Sequence, residues 1–221
     1  MVMMNNTSQL LRRLKSLSGP FIPFDLKLLP EKPGTLFLQW LNLAIENEVK
    51  EPHAMTLSTV DANGYPDARV LILKDVVGDV FYFASGSKGR KGQQLQKNPK
   101  VALTFYWPKL GRQVRLRGTV VDMGREAGLT DFLQRSKEAR AVALTGLQSQ
   151  KLENVNDLEH SLADQKERIK CNPQIVAPDW TLYGVNVWEA EFWQGDVYRK
   201  HVRIQYNQCE EGQWRHHLLW P

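Results

Sequence analysis

Three basic or titratable side chains near the end of the sequence recur at every second position: Arg199, His201 and Arg203. Successive side chains in a β-strand point to opposite faces, so this spacing predicts that all three groups face one side of a sheet. Trp193, a few residues earlier, supplies an apolar wall beside them. The stretch therefore predicts either a site for a negatively charged ligand or an ordinary packed strand, and by itself it does not separate the two.

Two other basic stretches have a composition that suits an anion. Arg69 and Lys74 bracket the apolar run 70–73, and because they are five residues apart they face opposite sides unless the strand bends or ends between them. The glycine-rich stretch 86–93, GSKGRKGQ, leads into a predicted short helix, and a helix N-terminus favours a phosphate group. This stretch does not match a P-loop. Strand-end cations and an exposed basic turn are the alternative interpretations.

A fourth stretch, GRQVRLRG, places Gln113 among arginines on a predicted strand. Its side-chain amide can both donate and accept hydrogen bonds, which suits a ring that carries carbonyl oxygens and ring nitrogens. A polar, exposed strand face is the alternative.

Composition limits the class of protein. The chain has 221 residues, 42% of them hydrophobic, which is enough for the core of a globular protein. Its net charge of +5 indicates either a solvated basic surface or a small anionic ligand, and we predict no nucleic-acid partner. No run of about 18 apolar residues occurs, so no membrane span is predicted. Cys171 and Cys209 form no CxxC pair and the histidines show no HExxH spacing, which predicts a cytoplasmic protein without a metal site.

Hydrophobic periodicity predicts a mainly β chain with flanking helices. An apolar face predicts a helix over 35–49 with Thr35 as its N-cap, and residues 1–34 are expected to form a polar, partly helical arm. A period of two predicts strands over 54–60, 68–76, 80–85, 100–107, 112–123, 181–194, 199–208 and 213–221. Further helices are expected over 91–98, 125–134 and 152–170. Many short strands with a few helices predict a β-barrel, and the lack of a linker or repeat predicts a single domain over 35–221.

Together, and in their order, these stretches resemble one enzyme family. From EPHAMTLSTVDANGYPDARVLILKD through FYFASGSKGRKGQQLQKNPKVALTFYWPKLGRQVRLRG to EFWQGDVYRKHVR, the sequence is similar to the pyridoxamine 5′-phosphate oxidase family over residues 35–221. The resemblance implies an FMN-binding split β-barrel and a homodimer, with flavin mononucleotide (FMN) held where the two subunits meet.

The resemblance also implies a role for individual residues. The family's Arg-x-x-x-x-Lys strand matches Arg69 and Lys74, its basic phosphate loop matches Arg90 and Lys91, and Phe83 replaces a threonine. The residues implied to bind FMN are Arg69, Val70, Leu71, Ile72, Leu73, Lys74, Tyr82, Phe83, Arg90, Lys91, Gln113, Gln148, Ser149, Trp193 and Arg203. Arg199 and His201 are implied to be catalytic, and the substrate is implied to contact Lys74, Arg135, Arg199 and His201.

One part of the family pattern is altered. The family's phosphate clamp, Tyr-x-x-x-Arg-x-x-x-Ser, is represented here by Asp131, Arg135 and Ala139. A hydroxyl contact is lost at each end, and each lost charge-assisted hydrogen bond costs about 1.5–3 kcal/mol. We therefore predict a weakened hold on the phosphate of the substrate.

The implied activity is oxidation of a phosphorylated B6 vitamer. Pyridoxine or pyridoxamine 5′-phosphate would become pyridoxal 5′-phosphate, with hydride transfer to FMN and reoxidation by O₂ to hydrogen peroxide. Two alternatives stay open. One is a related flavin oxidase of the phenazine-biosynthesis type, which acts on a non-phosphorylated ring, and the other is a non-catalytic protein that binds FMN or pyridoxal phosphate.

Overall fold

The computed structural model describes residues 2–210 and 212–221, and these form six α-helices and nine β-strands. The helices are α1 (Val2–Arg13), α2 (Pro33–Glu46), α3 (Arg90–Lys97), α4 (Arg125–Leu133), α5 (Lys137–Leu144) and α6 (Val155–Cys171). The strands are β1 (Ala54–Val60), β2 (Pro66–Ile72), β3 (Asp75–Val77), β4 (Val80–Gly86), β5 (Lys100–Trp107), β6 (Arg112–Asp122), β7 (Trp180–Gln194), β8 (Val202–Gln208) and β9 (Trp214–Leu219). None of the described helices is long and apolar enough to cross a membrane.

All of the described strands join one antiparallel sheet. Its order is β2-β1-β5-β6-β7-β4-β3, with β8 paired to β7 and β9 paired to β8. On one side of the long strand β7, the first half pairs with β4 and the second half pairs with β8. The sheet therefore branches at β7. The predicted mainly β fold with flanking helices is confirmed.

The core lies between α2 and the sheet. Inward and outward positions alternate along β1 and β4, as a strand with one buried face requires. Phe37 of α2 is fully buried, and its ring lies 4.8 Å from that of Phe81 and 4.7 Å from that of Phe105. This aromatic contact fixes α2 against β4 and β5, and so fixes the strands that lead to the site.

The start of α2 differs from the prediction. The helix begins at Pro33 and its N-cap residue is Lys32, so the prediction of Thr35 as the N-cap is wrong. The N–H of Gly34 instead donates to Asp79 Oδ1 at 2.9 Å. A carboxylate 45 residues away therefore satisfies the helix terminus, and a local sequence pattern cannot reveal it.

Two other elements differ from the prediction. The strand predicted over 68–76 is two strands, β2 and β3, because the chain leaves the first pairing at Leu73 and Lys74. There the N–H of Leu73 donates to the carbonyl of His53, and the N–H of Lys74 donates to that of Tyr82. Helix α5 is not among the predicted elements, and it is capped by Ser136.

Candidate functional site

A cavity of about 640 Å³ lies beside the end of β2, bounded by β4, the loop that precedes α3, helix α5 and helix α6. Its volume falls in the range of small-molecule sites, roughly 300–1,000 Å³. It brings together predicted site residues from distant parts of the sequence, which are Val70, Leu71, Ile72, Lys74, Lys91, Arg135 and Gln148.

Lys91 is a buried cation in the wall of this cavity. It lies in the first turn of α3, is 8% exposed, and donates from Nζ to Gln148 Oε1 at 2.8 Å. Burial lowers the pKa of the Lys91 ammonium, and the positive charge of Arg69 lowers it further. Within the described residues, no carboxylate forms an ion pair with it. A buried cation without a counter-charge favours an anionic ligand.

Asp67 organises two arginines beside Lys91. Its Oδ2 lies 2.8 Å from Arg69 Nη2 and 3.2 Å from Arg90 Nε, and it also accepts from Gln94 Nε2 at 3.0 Å. The hydrogen bond from Gln94 and the two guanidinium charges lower the pKa of Asp67. The two arginines thus share one carboxylate, and Lys91 nearby has none, which leaves an excess of positive charge around Asp67.

A second charged group lies near α4, where Lys74, Arg135 and Trp180 line the cavity. Asp131 is buried, accepts from Trp180 Nε1 at 2.8 Å, and lies 3.4 Å from Lys74 Nζ. The guanidinium of Arg135 lies over the Trp180 ring, 4.1 Å from its centroid. Burial lowers the pKa of Arg135 while the charge of Asp131 opposes that shift. Asp131 is therefore held by an indole and an ammonium, and Lys74 is partly neutralised.

Arg135 also carries a polar atom that the protein leaves unsatisfied. Its Nε is buried and has no hydrogen-bond partner in the described part of the chain, and its Nη2 reaches only the Ala139 carbonyl at 3.4 Å. Buried polar groups are rarely left in this state without a ligand or water. Because the chain itself covers this atom, a ligand in the cavity would contact Arg135 through the other nitrogens of its guanidinium.

Another group of predicted residues forms a row across β6, β7 and β8. Gln113 pairs with Trp193, and Trp193 pairs with Arg203, so the three side chains point to the same face. Arg203 donates from Nε to Glu191 Oε1 at 2.9 Å and from Nη1 to the Trp220 carbonyl at 2.9 Å. This row is not part of the cavity wall, so the residues predicted to bind FMN fall into two separate groups within one chain.

The predicted alternation of Arg199, His201 and Arg203 along a strand is wrong. Strand β8 begins at Val202, and Arg199 lies in a turn with a φ of 66°. His201 nevertheless lies against Trp193, with ring centroids 4.9 Å apart. A turn, rather than strand periodicity, brings the imidazole to the row of Gln113, Trp193 and Arg203.

Some predicted FMN contacts have side chains directed elsewhere. Leu73 and Phe83 are buried in the core, and the Phe83 ring stacks on Tyr183 at 5.2 Å. Any contact that these two residues make with a ligand would therefore come from their backbone. Tyr82 is half-buried, and Ser149 is exposed with a φ of 70°.

Three residues that shape the site were not among those predicted. Asp67 lies two positions before Arg69, and Glu191 lies two positions before Trp193, so spacing along a strand offered a signal for both. Trp180 offered none, because its partner Asp131 lies 49 positions away.

Comparison with known proteins extends these observations. A family model described as pyridoxamine 5′-phosphate oxidase matches residues 41–166, and one described as pyridoxine 5′-phosphate oxidase C-terminal dimerisation region matches residues 180–221. A protein of Leptospira interrogans named pyridoxine/pyridoxamine 5′-phosphate oxidase is 36% identical over 190 residues, which cover 86% of this chain and 88% of that protein. A protein of Legionella pneumophila with the same name is 38% identical over 189 residues, which cover 86% and 87%.

Solved structures show the same fold. PhzG from Burkholderia lata 383, in complex with tetrahydrophenazine-1-carboxylic acid, superposes with a TM-score of 0.85 at 24% identity, covering 92% of this chain and 100% of that one. A pyridoxamine 5′-phosphate oxidase-related, FMN binding protein from Nostoc punctiforme gives a TM-score of 0.69 at 17% identity, covering 88% and 99%. The predicted split β-barrel is confirmed by these superpositions. On the matches of both family models and of relatives along most of its length, the chain belongs to the pyridoxamine 5′-phosphate oxidase family.

Proposed function

We propose that this protein is an FMN-dependent oxidase that converts pyridoxine or pyridoxamine 5′-phosphate to pyridoxal 5′-phosphate. The observation that carries the proposal is the cavity, which is lined by the buried ammonium of Lys91 and by the apolar side chains of β2. This arrangement suits a phosphate monoester attached to a planar ring. The names of relatives that are 36% and 38% identical support the same class of reaction.

The residues of the cavity fit FMN. Lys91 and Arg90 would hold its phosphate together with the N–H groups of the first turn of α3, whose N-cap Gly89 provides no side-chain cap. A Cβ at Gly89 would lie 2.9 Å from Gln148 Oε1, so a larger residue would crowd this approach. When bound, FMN supplies the hydride acceptor, and its reoxidation by O₂ yields hydrogen peroxide.

The phosphate of the substrate is assigned to Arg135. Arg135 lines the cavity, and its guanidinium, which is oriented by the Trp180 ring, can donate to a phosphate oxygen. Lys74 contributes less, because its ammonium is shared with Asp131 at 3.4 Å. We therefore expect turnover of the phosphorylated vitamers with a raised KM.

The active unit is proposed to be a homodimer. Within one chain the row of Gln113, Trp193 and Arg203 lies apart from the cavity, although the family resemblance assigns both to one FMN site. A second copy could supply its row to the cavity of the first, which would complete the site. The match of residues 180–221 to a C-terminal dimerisation region supports this arrangement. A monomer by light scattering that binds FMN stoichiometrically would refute it.

The ion pair between Lys74 and Asp131 favours a second candidate, which is oxidation of a non-phosphorylated ring. A ring that carries no dianion would meet no repulsion from the Asp131 carboxylate and would have no need of a free Lys74. This candidate shares the fold, the cofactor and the proposed dimer with the first, and it differs in the substrate alone.

Two measurements on the purified protein test the proposal. We expect the absorption bands of bound flavin, and we expect hydrogen peroxide when pyridoxine or pyridoxamine 5′-phosphate is added in the presence of O₂. Peroxide release with unphosphorylated pyridoxine or another planar ring, but with neither phosphorylated vitamer, would favour the second candidate. Bound flavin without turnover of any such ring would indicate a non-catalytic FMN-binding protein.

A further inference from the structure

Residues 195–201 form a compact turn that presents Arg199 and His201. Asp196 organises it with its carboxylate, because Oδ1 accepts from the N–H of Tyr198 at 2.7 Å and from the N–H of Lys200 at 3.1 Å. The carbonyl of Asp196 also accepts from the N–H of Arg199 at 3.1 Å. One residue thus fixes the backbone on both sides of Arg199.

The same turn is anchored to the rest of the fold. The N–H of Gly195 donates to the carbonyl of Gly111 at 2.6 Å, which ties the turn to the start of β6. A Cβ at Gly195 would lie 3.0 Å from both the Leu17 side chain and the Trp193 ring, so the chain is closely enclosed there. The hydrogen bonds to Asp196 hold Arg199 in a left-handed backbone conformation, which is unfavourable for residues other than glycine.

The hydrogen bonding of His201 determines which of its nitrogens carries a proton. Its Nδ1 lies 3.1 Å from the backbone nitrogen of Asp196, whose N–H can only donate. Nδ1 must therefore accept, and a nitrogen that accepts carries no proton. The proton of the neutral imidazole is consequently on Nε2. The ring is held in this orientation against Trp193, 4.9 Å away and inclined by 42°.

We propose that His201 acts as a hydrogen-bond donor through Nε2–H, with Asp196 as the positioning residue that fixes this tautomer. In this state Nε2 cannot accept a proton from the substrate, because it already carries one and Nδ1 is engaged by the backbone. The group that it recognises is an oxygen acceptor of the substrate, either a hydroxyl or an anionic oxygen. The identity of that recipient rests on the proposed function, whereas the tautomer does not.

Nitrogen-15 NMR of the imidazole groups in the FMN-loaded protein tests the tautomer directly. The signals of His201 are assigned by their loss in a His201→Gln variant. We expect a protonated Nε2 and an unprotonated Nδ1 at neutral pH. Asp196→Asn retains an acceptor at Oδ1 and should preserve this pattern, whereas Asp196→Ala should allow both tautomers. A proton found on Nδ1 of the native protein would overturn the proposal.

A kinetic comparison tests the role of the donor. A Gln side-chain amide places its N–H groups near the position of Nε2, whereas that of Asn lies near the position of Nδ1. We expect His201→Asn to lose roughly tenfold or more in kcat/KM relative to His201→Gln, the effect of one missing hydrogen bond. Equal activity of the two variants, or a more active His201→Asn, would overturn the donor role.

The two experiments separate this proposal from the proposed function. If the native protein oxidises neither phosphorylated vitamer, the proposed substrate is wrong, and the NMR result still decides the tautomer. If the native protein is active but Nδ1 carries the proton, the proposed function stands and the assignment of His201 and Asp196 fails.

Discussion

Replacement of Lys91 by methionine should separate ligand binding from folding. The ammonium is buried, its hydrogen-bond partner is the neutral amide of Gln148, and burial and Arg69 both lower its pKa. Methionine keeps most of the length and apolar contact of the side chain and removes the charge. We expect the FMN-free variant to be at least as stable as the native protein, because a desolvated charge is lost.

The affinity of the Lys91→Met variant for FMN, in contrast, should fall. A charge-assisted hydrogen bond to phosphate is worth about 1.5–3 kcal/mol, which corresponds to a roughly 10- to 150-fold increase in Kd. Lys88→Met is the matched control, since Lys88 lies in the loop that leads into α3 but is exposed. Arg90→Met should have an intermediate effect, because its side chain is 68% exposed and is already paired with Asp67.

Flavin fluorescence titration and thermal denaturation of the FMN-free proteins provide the two readouts. A phosphate contact at Lys91 is refuted if Lys91→Met binds FMN as tightly as Lys88→Met does. The destabilising effect of the charge is refuted if the FMN-free Lys91→Met protein is markedly less stable than the native one, because the ammonium would then be a structural group.

The lowered pKa of Lys91 also predicts how the stability of the native protein, relative to Lys91→Met, changes with pH. The pKa of Lys91 in the folded protein lies below its ordinary value of 10.5, so between those two values the unfolded chain binds more protons. The destabilising effect of the charge is complete below the lowered pKa and disappears as the pH rises through this window. The FMN-free native protein should therefore gain stability relative to Lys91→Met as the pH approaches 10.5.

Three further predictions concern other parts of the molecule. Asp131→Tyr combined with Ala139→Ser should lower the KM for pyridoxine 5′-phosphate by about tenfold or more, as one or two charge-assisted hydrogen bonds are restored, and unchanged initial-rate kinetics would contradict this. Glu191→Gln removes the carboxylate beside Arg203, so the reduction potential of the bound flavin should rise. The expected increase is on the order of 30 mV, which corresponds to about 1.4 kcal/mol, and a dye-coupled titration measures it. Phe37→Ala should lower the free energy of unfolding by about 3–5 kcal/mol in urea, and a loss below about 1 kcal/mol would show that the aromatic core repacks.

The parts of the fold that follow from local periodicity were predictable. Strands such as β1 and β5 agree with the prediction at both ends, because one face of each strand is buried and the alternation of side chains is strict. The start of α2 was not, since Asp79 satisfies it from a distant loop. Helix α5 was missed although its N-cap, Ser136, was a local signal for where it begins.

The candidate site, like the fold, was only partly predictable from the sequence. The family resemblance identified Lys74 and Asp131 but not the ion pair between them, because the two residues are remote in sequence. Trp180, the other partner of Asp131, lies 49 positions away. The alternation of Arg199, His201 and Arg203 predicted a strand where the chain forms a turn. Asp196 satisfies the backbone of that turn, and this local preference competes with strand formation.

Two cations that line the cavity, Lys91 and Lys74, differ in whether a carboxylate pairs with them. This difference should affect how tightly the phosphates of the cofactor and of the substrate are bound. Among the described residues Lys91 has a neutral amide and no carboxylate as its partner, so a phosphate that reaches it gains a charge-assisted hydrogen bond without displacing another anion. Lys74 already has Asp131 at 3.4 Å, so a phosphate there must compete with a carboxylate. The same chain can therefore hold the phosphate of the cofactor tightly and that of the substrate loosely. Because the two cations lie in separate charge networks, substitutions at Lys91 and at Asp131 should affect the two affinities independently.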